Sequence, residues 1–301
     1  MAIEMTVGMA TITMRQLGQR GRFGNTLLQH AFIRAYAVEH GAEYQMPPTV
    51  LKHLFGLDDN LSTEDLPPYQ EQYENGDCHR PLPPISDELL NHDFQGWAQH
   101  KTEWWTPERR KFWRDYRPTE AWLERLRPIT EANRYDAGTV IGIQIRRGDY
   151  GQGSVYDSLT PVSWYLAWLK IYWWKFAFVR RLFIATEDRE LVEPFSAYNP
   201  ITVESLGVEL RAEPYPLYNY LPEDLASGKA HLLDWFPEWY ALTQCDILLA
   251  ANSTFSLTAA MVRSSAGKPV EFWRPSWEAQ GFVKEELWSC RPLRLDCPKK
   301  A

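Results

Sequence analysis

Two adjacent arginines, Arg146 and Arg147, follow the apolar run from Val140 to Ile145 and lead into Gly148, Asp149 and Tyr150. A guanidinium is permanently charged, and its planar fork of donors matches two phosphate oxygens at once. Val140, Ile141, Ile143 and Ile145 are β-branched and nearly continuous, which predicts a strand covered on both faces in a parallel sheet. The arginines would then stand at the strand's carboxyl end, the rim where open α/β sheets bind ligands. Side chains alternate along a strand, so Gln144 and Arg146 are expected on one face. Gly148 lets the backbone turn or approach a ligand closely. Taken alone, the segment reads more simply as a structural ion pair with Asp149.

Two further segments repeat the pattern. Leu182 to Ala185 reads as a short strand ending in Thr186, Glu187 and Asp188, with a helical Arg189–Val192 after it. Asp246 to Ala251 reads as another strand, ending in Asn252, Ser253 and Thr254 before a helix from Phe255 to about Ser264. Ser253 or Thr254 suits the N-cap position, and exposed amides at a helix start form a phosphate site. Pro269 to Trp273 predicts one more strand.

At the amino end, a strand within Thr6–Met14 gives way to the loop Gln16–Asn25, which carries Gly18, Gly21 and Gly24 with two arginines. Leu27, Leu28, Ala31, Ala35 and Val38 then recur at helical spacing up to His40, with Gly41 as the cap. A strand at Glu43–Met46 completes a βαβ opening. The loop lacks the spacing of a dinucleotide fingerprint and has no P-loop lysine. Residues 47–84 read as loop with short helices, Thr106–Arg127 as helical, and Pro128–Gly138 as a linker. The expected architecture is α/β, with two domains facing across a cleft: residues 1–137 and residues 138–301.

Composition bounds the class. With 301 residues, 45% hydrophobic and 24% charged, the chain has the make-up of a globular protein with a substantial core. A net charge of −7 argues against a nucleic-acid partner. Four cysteines, without a CxxC pair or zinc-type spacing, suggest a reducing compartment and a buried thiol at Cys245. The opening residues show no cationic signal region, so the expected location is cytoplasmic. The stretch from Ser163 to Ala185 is broken by Lys170, Lys175, Arg180 and Arg181 and reads as a packed helix. Peripheral membrane association through Trp164, Trp168, Trp173 and Trp174 is its alternative.

Several motifs in order resemble glycosyltransferase family 11, the α-1,2-fucosyltransferases. Arg22 to Gln29 is similar to that family's glycine-asparagine-glutamine opening, and Asp93-Phe-Gln-Gly-Trp97 to its aromatic-Phe-Gln segment. Gln144 to Tyr150 resembles its arginine motif, Phe183 to Asp188 its strand ending in acidic residues, and Glu238 to Ala260 its last signature. The order and spacing agree from residue 21 to about residue 273.

The resemblance implies a GT-B architecture with two Rossmann-like domains, the first on the acceptor side and the second holding the donor. It implies transfer of fucose from GDP-fucose, with inversion, to a glycan hydroxyl, galactose O2 in that family. Arg146 would hold the donor diphosphate. Ser253, Thr254 and nearby amides would add hydrogen bonds, with Asn252, Gln144, Thr186 and Asp188 at the same rim. The loop at Gly21, Gly24 and Asn25 would close over the donor. No metal cofactor is implied, and the residues agree in that no Asp-x-Asp pair occurs; Asp58-Asp59 reads as a solvated turn. An arginine with helix-end amides can neutralise a leaving diphosphate electrostatically. Asp149 is the candidate base for the acceptor proton, with Asp157 second; orienting an arginine is an equal role for Asp149. Two positions depart from the family: Gln144 replaces a histidine, and Leu257-Thr258 an aromatic pair. Another nucleotide sugar, or a non-catalytic glycan-binding protein on a transferase fold, are the alternatives.

Overall fold

The computed structural model describes residues 9–47, 49–58, 60–61, 64–77, 80–134, 138–147, 150, 159–176, 180–208 and 235–294. Asp149, Gly148 and Asp157 lie outside them. The chain divides into two compact units, with the break after His100. The sequence reading places the boundary at residue 137 instead. Residues 101–134 thus belong to the second unit, and the expected linker is largely taken up by a helix, Arg127–Arg134.

The first unit is built on strands β1 (Thr11–Thr13), β2 (Glu43–Gln45) and β3 (Pro68–Gln70), a small hairpin of β4 (Gln72–Tyr73) with β5 (Pro81–Leu82), and β6 (Asp93–Gln95). The sheet order is β2-β1-β6-β3, with every pair parallel. The helix Phe23–Glu39 connects β1 to its neighbour β2, as the apolar spacing predicts, and buries Leu27, Leu28, Ala31 and Ala35. Val38 is exposed. The helix starts at Phe23, so Gly24 and Asn25 belong to its first turn and not to the loop. Gly21 keeps the loop's special geometry: its φ is +76°, and a Cβ there would lie 1.9 Å from Asn25 Nδ2.

The second unit carries β7 (Thr139–Ile145), β8 (Arg180–Thr186), β9 (Ile247–Leu249), β10 (Glu271–Ser276) and β11 (Gly281–Glu285) in the order β11-β10-β9-β7-β8. Only the β10–β11 pair is antiparallel. The helices Val162–Tyr172 and Thr254–Ser265 connect β7 to β8 and β9 to β10. Ile141, Ile143 and Ile145 pack with Tyr165, Trp168 and Leu169 in one core. The opposite face of β7 is closed so tightly that a Cβ on Gly142 would come within 2.6 Å of Cys245 Sγ. Cys245 is the buried thiol expected, its pKa pushed up to about 12 by burial.

Thr106–Arg127 is not one helix. It is broken into Pro107–Arg110, a 3-10 turn at Lys111–Asp115 and Glu120–Arg125, with Pro118 in the gap where it removes a donor. Of the tryptophans weighed for a membrane surface, Trp168 and Trp173 are buried in the core, and Trp174 alone is 73% exposed. Among the described residues no helix is long and apolar enough to cross a membrane.

Candidate functional site

The polar clusters of the second unit meet at the carboxyl ends of its parallel strands. Ile145 and Thr186 are register partners, so Arg146 and Glu187 emerge side by side. Arg146 Nη1 donates to Glu187 Oε1 at 2.8 Å, and the same oxygen accepts the Arg147 amide at 2.9 Å. The arginine is therefore paired, with Glu187 as its carboxylate. Its guanidinium also lies 5.0 Å above the ring of Tyr150, a cation–π contact. Arg147 turns elsewhere, donating to the carbonyls of Arg146 at 2.9 Å and Thr160 at 3.3 Å. Arg147 thus braces the loop.

Gln144 is 5% exposed, and its Oε1 has no hydrogen-bond partner among the described residues. Its carbonyl accepts the Tyr165 hydroxyl at 2.8 Å. A buried acceptor left unpaired is costly, and this one lies one strand period before Arg146. Thr186 and Asp188 are used locally: the Asp188 amide donates to Thr186 Oγ1 at 3.2 Å, and the Asp188 carboxylate caps the following 3-10 helix, Arg189–Tyr198. Asp188 is a cap in this arrangement. Ser253 is the N-cap of Thr254–Ser265, its hydroxyl accepting the Phe255 amide at 3.2 Å. Asn252 has both ends of its amide engaged: Oδ1 accepts from Arg274 at 2.6 Å and from the Arg294 amide at 2.7 Å, and Nδ2 donates to the Arg294 carbonyl at 3.1 Å.

Glu238 stands behind this rim, in the helix Trp235–Leu242. Burial pushes its carboxyl up to about 7, against the lowering effect of Arg189, which donates to it at 2.7 Å. Arg189 also bonds to the Thr186 carbonyl and to Glu204, so it ties Glu238 to the end of β8.

Gly21, Gly24 and Asn25 belong to the first unit, where buried carboxylates at the start of β6 and just past β3 meet the chain as it leaves β1 and β6. Asp93 Oδ1 accepts from Thr13 Oγ1 at 2.8 Å and from the Arg15 amide at 2.9 Å. Glu71 accepts the amides of Trp97 at 2.8 Å and Ala98 at 2.9 Å, with His100 Nε2 3.1 Å away. Ala98 takes a left-handed φ of +52°, which Glu71 holds in place. Asn25 accepts from Gln99 at 2.7 Å, and Gln29 donates to the Gly96 carbonyl at 3.1 Å.

Sequence reasoning missed Glu71, Arg274 and Glu238 as members of these edges. Glu71 lies in a proline-rich stretch read as loop. Arg274 follows Phe272 and Trp273 in β10, and a charge directly after two large apolar residues was the available signal. Among the described residues no group of three or more His, Cys, Asp or Glu side chains is placed to hold a metal ion.

No protein-family model matches the chain, and no curated protein matches it in sequence. Solved structures do match in fold. The fucosyltransferase NodZ from Bradyrhizobium superposes with a TM-score of 0.56 at 12% identity, over 93% of this chain and 99% of that one. NodZ α-1,6-fucosyltransferase co-crystallised with GDP gives 0.54 at 12% identity, over 92% of this chain and 98% of that one. An R284K mutant of Arabidopsis thaliana FUT1 in complex with GDP gives 0.51 at 13% identity, over 96% of this chain and 75% of that one. The fold is thus of the GT-B class, α/β with parallel sheets, as expected from the sequence.

Proposed function

We propose that this protein is a fucosyltransferase that uses GDP-fucose as donor. The observation that carries the reading is the GT-B fold shared across nearly the whole chain with fucosyltransferases, two of them solved with GDP bound. It is supported by an arginine and the N-terminus of a 12-residue helix at the carboxyl edge of one sheet. Transfer inverts the anomeric carbon, and the acceptor is a glycan hydroxyl, galactose O2 by resemblance to the α-1,2 enzymes.

In this reading Arg146 takes the diphosphate, with the Ser253–Thr254 helix start supplying amides, and together they stabilise the leaving GDP. Glu187 orients the guanidinium before the donor arrives and must share or yield it afterwards. Asp149 is the base proposed for the acceptor proton. The chemistry uses no resident metal, because the leaving charge is met by arginine and amides. Gln144, a neutral amide where the resembled family has a histidine, favours a second reading, a different nucleotide sugar.

Purified protein should cleave or transfer from GDP-fucose, with turnover unaffected by excess chelator. A thermal-shift panel of nucleotide sugars should rank GDP-fucose first. A larger shift with another nucleotide sugar selects the second reading. Binding without any turnover in the presence of glycan acceptors selects a non-catalytic glycan-binding protein, and dependence on added magnesium or manganese removes the metal-free mechanism.

A further inference from the structure

Behind the edge that carries Arg146 lies an arginine that is 1% exposed, Arg274 of β10. Its Nη2 donates to Asn252 Oδ1 at 2.6 Å, and its Nη1 donates to the Arg291 carbonyl at 2.6 Å and to Glu285 Oε2 at 3.3 Å. The Asn252 carbonyl in turn accepts the Tyr150 hydroxyl at 3.0 Å, and the Tyr150 ring lies under the Arg146 guanidinium. The next residue, Ser253, caps the helix Thr254–Ser265. One continuous set of contacts therefore runs from a buried guanidinium to both groups assigned to the diphosphate.

Stability alone is a poor reason for this arrangement. Taking an arginine out of water is expensive even beside a carboxylate, and an apolar residue of similar volume often serves a fold as well or better. What directed hydrogen bonds add is fixed orientation. Beyond Ala250, whose amide donates to the Trp273 carbonyl at 2.9 Å, the loop before the Thr254–Ser265 helix leaves the ladder, whereas the Arg274 side chain projects from a strand paired on both sides. Orientation matters at this rim, because a displacement of about 1 Å in a group that meets the transition state can cost about 100-fold in rate.

We propose that Arg274, acting through Asn252 and Tyr150, is a positioning residue that holds Arg146 and the Ser253 helix start in register for a nucleoside diphosphate. The proposal rests on the GDP-sugar reading above. Its test is titration of the full chain with GDP, alongside thermal denaturation of each variant. Arg274→Met combined with Glu285→Gln removes the buried charge together with that of its carboxylate partner, and Arg294, which also pairs with Glu285, is exposed enough to be solvated in its place. This pair should remain folded and bind GDP about 10- to 100-fold more weakly. Tyr150→Phe deletes only the hydroxyl that reaches Asn252. It should weaken GDP binding alone, and add little when combined with the paired change. In turnover, the loss should fall on the KM for the donor and spare the KM for the acceptor. Arg274→Lys should recover part of the affinity.

A folded paired variant with wild-type GDP affinity overturns the proposal. Should the pair fail to fold, Tyr150→Phe decides by itself: weaker GDP binding supports the proposal and unchanged binding overturns it. Wild-type protein that does not bind GDP at all removes the donor reading first, and this inference with it, which distinguishes the two failures.

Discussion

The carboxyl edges of the two parallel sheets meet one need with different balances of charge. A chain leaving a parallel strand turns away from its ladder, and the freed amides need partners. In the first unit, buried carboxylates provide them: Asp93 takes the Arg15 amide, and Glu71 those of Trp97 and Ala98. In the second unit Glu187 and Asp188 likewise take the amides of Arg147 and Glu190, but Arg146 pairs with Glu187 and a short loop after β9 leads into a helix start. A carboxylate that already occupies those amides repels an incoming anion. A helix start and a guanidinium attract one. In the proposed function the second edge receives the negative charge, while the first holds itself together.

The largest effect that would test this contrast is Arg146→Ala. Donor turnover should fall about 100- to 1000-fold, the usual result of removing one donor to developing charge, while the melting temperature stays within a degree or two of wild type. Lysine at the position should restore little, lacking the fork. A variant that turns over normally would show Arg146 to be only Glu187's partner. Next in size is Asp93→Ala in the first unit. It strands a buried hydroxyl and a backbone amide and should lower stability by about 3 kcal/mol in urea titration. Unchanged stability with GDP binding lost would reverse the roles assigned to the two edges.

A smaller effect concerns Glu238, the carboxyl that the second unit buries against Arg189. In the folded protein it keeps its proton up to about pH 7, whereas an unfolded chain releases it near the ordinary carboxylate value. Between these limits the folded state binds more protons, so this group's contribution to stability is full at low pH and is lost as pH rises toward 7. Thermal denaturation of wild type should show that decline, and Glu238→Gln should flatten it. A parallel decline in the variant would assign the slope to other groups. The smallest expected effect is at Gln144. A histidine there should be tolerated and should introduce a pH dependence of donor affinity near its usual pKa of about 6.5. Affinity unchanged across that range in both Gln144→His and Gln144→Ala would separate Gln144 from the donor.

Much of the second unit was legible because its signals are long. Val140 to Ile145 is a buried run with no competing reading, and Thr254–Ser265 begins within one residue of the expected helix. The first unit was less legible. β6 has three residues, too few to show a period, and β3 lies in a proline-rich stretch. The helix expected over Thr106–Arg127 fails because Pro118 interrupts a periodicity that continues on both sides of it. The candidate site divides the same way. Arg146, Ser253 and Thr254 stand where strand ends place them, but the engagement of Asn252 and the capping by Asp188 depend on partners distant in the chain or on local turn geometry.

The sequence by itself determined the elements and the rim: apolar runs fix the strands, and polar clusters directly after them must fall at one edge of a parallel sheet. Only the tertiary structure decided what each polar group does there. Arg146 meets Glu187 because the β7–β8 register brings Ile145 opposite Thr186, and Asn252 is consumed by Arg274 because β9 and β10 are neighbours. Residue type sets which bonds a side chain can make. Which bonds it does make is a property of register and packing, to which residues dozens of positions apart contribute.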